Sequence, residues 1–413
     1  MLKNKRLIWI IISSLGVVFV FGGFVFYLQA RVDIDSVDIP IYGNITSLSG
    51  VEVPKIIRKS NHLKTPQAVK AIYMTSCVAG TLSLRDKLVD FVTTTELNSL
   101  VIDIKDYTGT ISYKPNDESL LHLWEDSRCG VVDMEDFIKS LHEKDIYVIG
   151  RITVFQDPHL AKRQPELAVK FASNGEVWKD RKGLNFTDPG SEVVWDYHVA
   201  LARDAYNIGF DELNFDYIRF PSDGPMNDIY FPFSKNHPKP EVLESFFSYL
   251  SKKLKPEGVI MSADLFGMTA TNTDDLNIGQ VLERALPYFD YVDPMVYPSH
   301  YPNGFNGWSD PNEVPYEIIK YSMDIAVART IATSTVVKTN DGQPIASTTP
   351  QLYTKESYDK NKIRPWLQDF DYPVTYTADD VRAQIKATYD AGLNSWLMWD
   401  PSNKYTKEVY KVQ

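Results

Sequence analysis

The sequence predicts an α/β fold: a (β/α)8 TIM barrel with loop insertions, preceded by one N-terminal transmembrane helix. Three observations carry this. From Val69 onward, short β-branched or aromatic runs alternate with amphipathic helical stretches, the pattern of parallel βα units. Eight strand runs separated by seven helical stretches fill about 345 residues, the size of a barrel with insertions. A doubly wound open sheet is the alternative, but it more usually opens on a glycine-rich turn, and no G-x-G-x-x-G occurs.

The N-terminus reads first. Residues 1–6, MLKNKR, are basic, and residues 7–28, LIWIIISSLGVVFVFGGFVFYL, are 22 uncharged and mostly apolar positions. As a helix they rise about 33 Å, enough for a bilayer core of about 30 Å. The basic flank, with Asp33 and Asp35 beyond the span, predicts a cytosolic N-terminus and an extracytoplasmic body. A cleaved signal peptide is the rival reading, but its apolar region is about 7–15 residues, and Leu28-Gln29-Ala30 lacks a small residue at its first position. Residues 29–66, with Pro40, Gly43, Gly50 and Pro54 and no sustained period, read as a stalk.

Residues 67–413 form the expected barrel. The strand runs, in order, are VKAIYMT (69–75), LNSLVIDIK (97–105), IYVIGRIT (146–153), DELNFDYI (211–218), VIMSADL (259–265), YVDPMVY (291–297), IRPWLQD (363–369) and NSWLMWD (394–400). Helical stretches between them span 84–96, 134–145, 191–209, 241–254, 277–289, 315–328 and 377–392. An eighth helix is truncated or missing. Insertions at 106–133 and 154–190 follow the second and third strands, so they belong on the C-terminal face, where barrels place active sites. Residues 331–361, rich in Thr, Ser, Pro and Lys, precede the seventh strand and read as a mobile loop on the opposite face or side.

Composition narrows the function classes. The 413 residues are 44% hydrophobic with a net charge of −11, which excludes a mostly disordered chain. The only charges in the first 30 residues are Lys3, Lys5 and Arg6, so the acidity belongs to the rest, which argues against nucleic-acid binding. No H-E-x-x-H, G-x-S-x-G, phosphate-binding loop or calcium loop is present, so the sequence points to no cofactor and no metal. Asn44 and Asn185 fit glycosylation sequons, which matter only in a eukaryotic secretory pathway.

Polar residues at strand C-termini would converge on one mouth: Asp103 and Lys105, Arg151, Asn214 and Asp216 with Arg219, Asp264, Asp293, Tyr297 with His300, Gln368, and Trp399. Period-2 alternation puts Asn214 with Asp216 on one face and Asp103 with Lys105 on another shared face. A carboxylate in an apolar strand costs several kcal/mol unless it is partnered. The bland reading pairs Asp216 with Arg219 and Asp103 with Lys105 for packing alone. Several such carboxylates at one mouth favour function instead. Paired carboxylates on adjacent strands suit glycosidic bond cleavage, in which one attacks or stabilises an oxocarbenium-like centre and the other protonates the leaving oxygen. Asp216 is the expected nucleophile or base, kept ionised by Arg219, and Asp264 the acid, its pKa raised by Phe266 and apolar surroundings. Asp293 competes for the second role, although Pro294 suggests a structural turn. The sequence does not choose between retention and inversion. Asp103, Lys105, Arg151, Asn214, Arg219, Tyr297, His300, Gln368 and Trp399 are the candidate substrate contacts. Among the aromatic residues near strand ends (Tyr217, Tyr297, Tyr301, Trp366, Trp396, Trp399), Tyr297 and Trp399 are the favoured sugar platforms.

The blocks VKAIYMTS, TELNSLVIDIKDYTG, GLNFTDPGS, GFDELNFDYIRFPSDG, SADLFG, IGQVLE, VDPMVYPSHY and RPWLQDF occur in this order. Together they resemble a bacterial glycoside hydrolase domain family formerly known only as a domain of unknown function. The resemblance covers roughly residues 66–408. It implies a hydrolase-like TIM barrel similar to α-glycan-cleaving enzymes, with Asp216 and Asp264 as the strand-4 and strand-5 carboxylates. The strand-5 acid is usually Glu in such relatives and is the shorter Asp here. FDELNFDYIRFP also resembles the strand-4 signature of chitinases, but the position of their acid Glu falls on Ile218, which disfavours substrate-assisted chemistry. The expectation is therefore a membrane-anchored extracytoplasmic glycosidase acting on a poly- or oligosaccharide of the cell surface or an exopolysaccharide; a non-catalytic carbohydrate-binding or envelope-assembly barrel is the alternative. Cys77 and Cys129, after strands 1 and 2, fall on the same face of neighbouring units, so an exported chain could pair them.

Overall fold

The structure, a computed structural model, describes residues 61–124, 127–339 and 349–412. The predicted span 7–28 lies outside them; among the described residues no helix is long and apolar enough to cross a membrane.

Eight parallel strands close into a barrel: β1 Lys70–Met74, β2 Ser99–Lys105, β3 Tyr147–Thr153, β4 Glu212–Asp216, β5 Ile260–Phe266, β6 Tyr291–Met295, β7 Trp366–Gln368 and β8 Trp396–Trp399. Each strand pairs with its neighbours in sequence, and β8 closes on β1 through Lys70 opposite Trp396. Helices cover the outside: α1 Leu82–Thr93, α2 Met134–His142, α3 Glu192–Asn207, α4 Lys239–Leu254, α5 Leu282–Ala285, α6 Pro315–Ile331 and α7 Ala378–Asp390. Among the described residues after β8 there is only a 3-10 turn, Lys407–Val409.

The period-2 pattern divides the apolar residues into two cores. Ile72, Ile102, Val148, Leu213, Ala263 and Val292 pack outward against the helices. Ala71, Tyr73, Val101, Tyr147, Ile149, Tyr297, Trp366 and Leu397 fill the barrel interior. Because so much of that interior is polar, its lower end is an ion cluster. Fully buried Arg364 contacts both Glu212, at 2.5 Å, and Asp293, at 2.9 Å, and lies over the Tyr291 ring.

Four local expectations are corrected. The helical stretch 277–289 shrinks to α5, because Leu276 and Asn277 take left-handed φ while the Asp275 carboxylate accepts the Asn277 and Gly279 amides as a turn. Pro294 lies inside β6 rather than in a turn. β6 meets β7 at a single register pair, Met295 with Trp366, so a missing N–H costs little there. The stretch after α6 is a two-stranded antiparallel ladder, Ser334–Thr339 with Thr349–Thr354. Residues 61–66, assigned to the stalk, pack onto the barrel: the Leu63 amide donates to Asp211 at 2.7 Å and the Thr65 hydroxyl bonds Tyr147.

The insertions lie where the fold predicts. Residues 113–117 dock on α3 through Asp204, which accepts the Tyr113 hydroxyl and the Asn116 and Asp117 amides. The insertion after β3 pairs with the loop after β4, Lys170–Phe171 against Ile229–Tyr230. Asp188 staples the same two segments through the Phe233 and Ser234 amides. Cys77 and Cys129 form a disulfide that ties the turn after β1 to the insertion after β2.

Candidate active site

The mouth is built on one guanidinium. Arg151, on β3, donates Nη1 to Asp103 at 2.7 Å and Nη2 and Nε to Asp216 at 2.6 and 3.0 Å. These three side chains come from β2, β3 and β4, whose register sets Asp103 opposite Arg151 and Arg151 opposite Asn214. Tyr73, on β1, donates its hydroxyl to the second oxygen of Asp103. The other Asp216 oxygen accepts the Tyr217 amide at 2.5 Å. Two carboxylates thus share one cation. Burial pushes Asp103 up to about 6, against the pull of Arg151 and the Tyr73 hydrogen bond.

Asp264 stands beside this array. Phe215 lies opposite Ala263, so Asp216, the last residue of β4, and Asp264, two residues before the end of β5, follow adjacent positions on neighbouring strands. Asp264 is 1% exposed. Burial first, then the negative charges of Asp216 and Asp293, hold its carboxyl well above the usual range. Asn214 Nδ2 and Trp366 Nε1 both donate to its Oδ1 at 2.8 Å, and among the described residues no donor meets Oδ2. Burial is thus the first cause of the raised pKa, and the neighbouring carboxylates add to it.

Aromatic rings wall this pair. Trp399 stacks on Tyr73, centroids 4.0 Å apart, meets Trp366 edge-on and faces Arg151 at 5.1 Å. Tyr297 is buried and feels both Asp216 and Asp264. His300, exposed at the rim, packs edge-on against Tyr297 at 5.1 Å, and Phe370 covers the same ring at 5.6 Å.

The remaining expected site residues have other partners, and most lie away from the mouth. Arg219 is not the partner of Asp216: its guanidinium lies over the Tyr217 ring at 5.1 Å and donates to Phe220 O and Ser222 Oγ. Lys105 is outside the barrel lumen. A register shift between Asp103 and Lys105 sets Lys105 opposite Ile152, an outward position, where its ammonium pairs with Asp157 at 2.6 Å and meets His198 of α3 at 3.1 Å. A β-bulge breaks the alternation on which a shared face depended. Gly150, opposite Ile102, leaves room for Ile104, whose Cδ1 would lie 2.3 Å from a Cβ there. Gln368 is buried and spent on loops, accepting from Ser299 and donating to Phe370 O and Tyr372 O. Asn214 is buried beneath Asp264 and donates to it. Asp293 is engaged by Arg364 deeper in the barrel, and burial raises it to about 6 despite that partner. Tyr301 bonds Ser322 and Trp396 bonds Tyr389, both in the outer core. The residues missed by sequence reasoning are Tyr73, Glu212 and Arg364. Strand alternation would have pointed Tyr73 and Glu212 inward, but no local signal announces their partners.

Comparison with known proteins adds an independent line. A family model described as "Putative glycosyl hydrolase domain" matches residues 71–405. No curated protein matches the chain significantly. Among solved structures, a hypothetical protein from Ruminiclostridium thermocellum is 34% identical over 47% of this chain and 96% of its own, with a TM-score of 0.42. The PgaB (BpsB) glycoside hydrolase domain from Bordetella bronchiseptica is 12% identical over 84% of this chain and 99% of its own, with a TM-score of 0.52; that likeness concerns the fold. The α-galactosidase TtGalA from Thermus thermophilus is 11% identical over 84% and 60%, with a TM-score of 0.48.

Proposed function

This chain belongs to the glycosyl hydrolase domain family whose model its residues 71–405 match, and on that premise we propose that it hydrolyses a glycosidic bond with Asp216 and Asp264. The carrying observation is one ion-paired carboxylate, Asp216 on Arg151, beside one fully buried carboxyl held well above its ordinary range. The different surroundings of the two carboxylic groups assign their roles. Asp264 gives its Oδ2 proton to the leaving glycosidic oxygen. Asp216 attacks or stabilises the oxocarbenium-like anomeric carbon, and water finally supplies the hydroxyl to that carbon and a proton back to the site. Trp399, half-buried, offers an apolar face to the sugar ring, Tyr297 backs the site from its buried position, and His300 gives a polar edge at the rim.

We further propose that residues 7–28 anchor the chain in a membrane with the barrel extracytoplasmic. That placement makes a cell-surface or exopolysaccharide glycan the substrate. The apolar run with its basic flank supports this.

The test compares full-length wild type with Asp216→Asn and Asp264→Asn on a panel of α- and β-linked glycans, reading released reducing ends. Wild type should cleave at least one glycan. Asp216→Asn should lose activity on every substrate, whereas Asp264→Asn should lose about 10²–10⁴-fold on polysaccharide and far less on aryl glycosides whose leaving group needs no proton. Binding by the wild type without cleavage would replace hydrolysis with recognition alone.

A further inference from the structure

We propose that Tyr217 performs two separable tasks at this site: its backbone positions Asp216, and its ring is a sugar platform that sets specificity. The inference rests on the proposed hydrolysis. Tyr217 follows β4 directly and holds φ at +51°, a left-handed conformation unfavourable for a bulky residue and characteristic of constrained sites. Asp145, Leu276, Asn277, Asn306 and Asn403 are the other non-glycine residues described with positive φ, and none of them adjoins the carboxylate pair in sequence.

The conformation has a consequence at Asp216. It lets the peptide before Tyr217 keep its amide on the preceding side chain, 2.5 Å from Oδ1, while the peptide after it turns its carbonyl to the Phe155 amide; Arg151 holds Oδ2. The carboxylate is therefore fixed at both oxygens. Phe155, two residues beyond β3, donates that amide at 3.4 Å.

The ring has its own support. Tyr217 follows Asp216, the last residue of β4, at the C-terminal end of the strand. It therefore sits at the mouth beside the carboxylate pair. Arg219 covers one face at 5.1 Å and is itself held by Phe220 O and Ser222 Oγ. Among the described residues it forms no ion pair with a carboxylate, so its charge stays with the ring. A half-buried aromatic ring, backed by a cation, is stiff enough to stack on the apolar face of a sugar.

The two tasks are separated by substitution. Tyr217→Gly and Tyr217→Asn remove the ring but tolerate the left-handed backbone, so the amide stays on Asp216. Tyr217→Val removes the ring and resists that backbone. Tyr217→Phe keeps both features. On the panel glycan that full-length wild type cleaves fastest, Gly and Asn should raise KM about tenfold or more with kcat within about threefold. Val should share the KM change and lower kcat about a hundredfold, and Phe should resemble wild type. Thermal unfolding checks that each variant is folded; if Val is not, Tyr217→Ala takes its place with a smaller kcat loss.

Equal kcat losses in Gly, Asn and Val would overturn the positioning task, and an unchanged KM in Gly would overturn the platform. Calorimetric titration of starch, galactomannan oligosaccharides, α-galactosaminan and chitosan keeps the two readings apart. Binding without cleavage, weakened about tenfold by Gly, retains the platform while hydrolysis and the positioning task fall. No binding of any of these by wild type overturns both tasks.

Discussion

At the scale of residues, the mouth has too many carboxylates for its cations. Arg151 serves Asp103 and Asp216 together, and Asp264 has only neutral donors. Proton uptake is the cheapest way to relieve such crowding in a buried site. Asp103 is the measurable instance. Its folded pKa of about 6 exceeds its ordinary value of 3.8, so between those values the folded state keeps a proton that the unfolded state has lost. The resulting stabilisation is complete below about pH 4 and disappears as pH rises through 6. Asp103→Asn should therefore be penalised, relative to wild type, more at pH 5 than at pH 7.5, by about 1.4 kcal/mol. Chemical unfolding at the two pH values measures this; an equal difference at both would show that Asp103 does not titrate there. The candidate carboxylates themselves were legible as strand-end residues. Their partners were not, because Arg151 reaches Asp216 across strands 65 residues apart in sequence, whereas sequence reasoning offered Arg219 as the nearest cation.

At the scale of elements, the strands were readable and one bulge was not. Strand runs of β-branched and aromatic residues are a local property, and the observed strands lie within a few residues of them. The orientation of Lys105 depends on an irregularity between β2 and β3, and residue period cannot report such a slip. The consequence can be measured. Lys105 and Asp157 are a fully buried ion pair, and Asp157 also caps the helix Pro158–Arg163 through the Leu160 amide. Lys105→Met leaves that carboxylate without its cation and should cost about 3–5 kcal/mol in unfolding free energy. In the folded variant, glycan affinity should match wild type, since the ammonium faces α3 and not the lumen. A loss of affinity without a loss of stability would return Lys105 to the site.

At the scale of the whole molecule, β1 and β2 share more than their hydrogen bonds. The Cys77–Cys129 disulfide spans 52 residues, and beside it Arg85 of α1 grips Asp133 through two bonds of 3.0 and 2.9 Å. Closing a loop of that length restricts the unfolded chain by about 4 kcal/mol. The double substitution Cys77→Ser, Cys129→Ser should lower stability by about that amount in urea unfolding, and reductant should lower wild type but not the variant. A wild type insensitive to reductant would show that the bond contributes nothing. An oxidising compartment would keep such a bond closed, in keeping with the proposed export.

What the sequence alone determined is whatever depends on near neighbours: the alternation of strand and helix, the barrel it implies, the face on which the insertions lie, and Asp216 and Asp264 as strand-end carboxylates on adjacent strands. Tertiary structure decided which charges meet. Arg151 rather than Arg219 holds Asp216, Arg364 withdraws Asp293 into the barrel floor, Gln368 is consumed by loops, and a bulge turns Lys105 outward. The physical reason is that propensity and side-chain period act over a few residues, whereas a buried ion pair is fixed by closure of the barrel, which joins residues dozens to hundreds of positions apart.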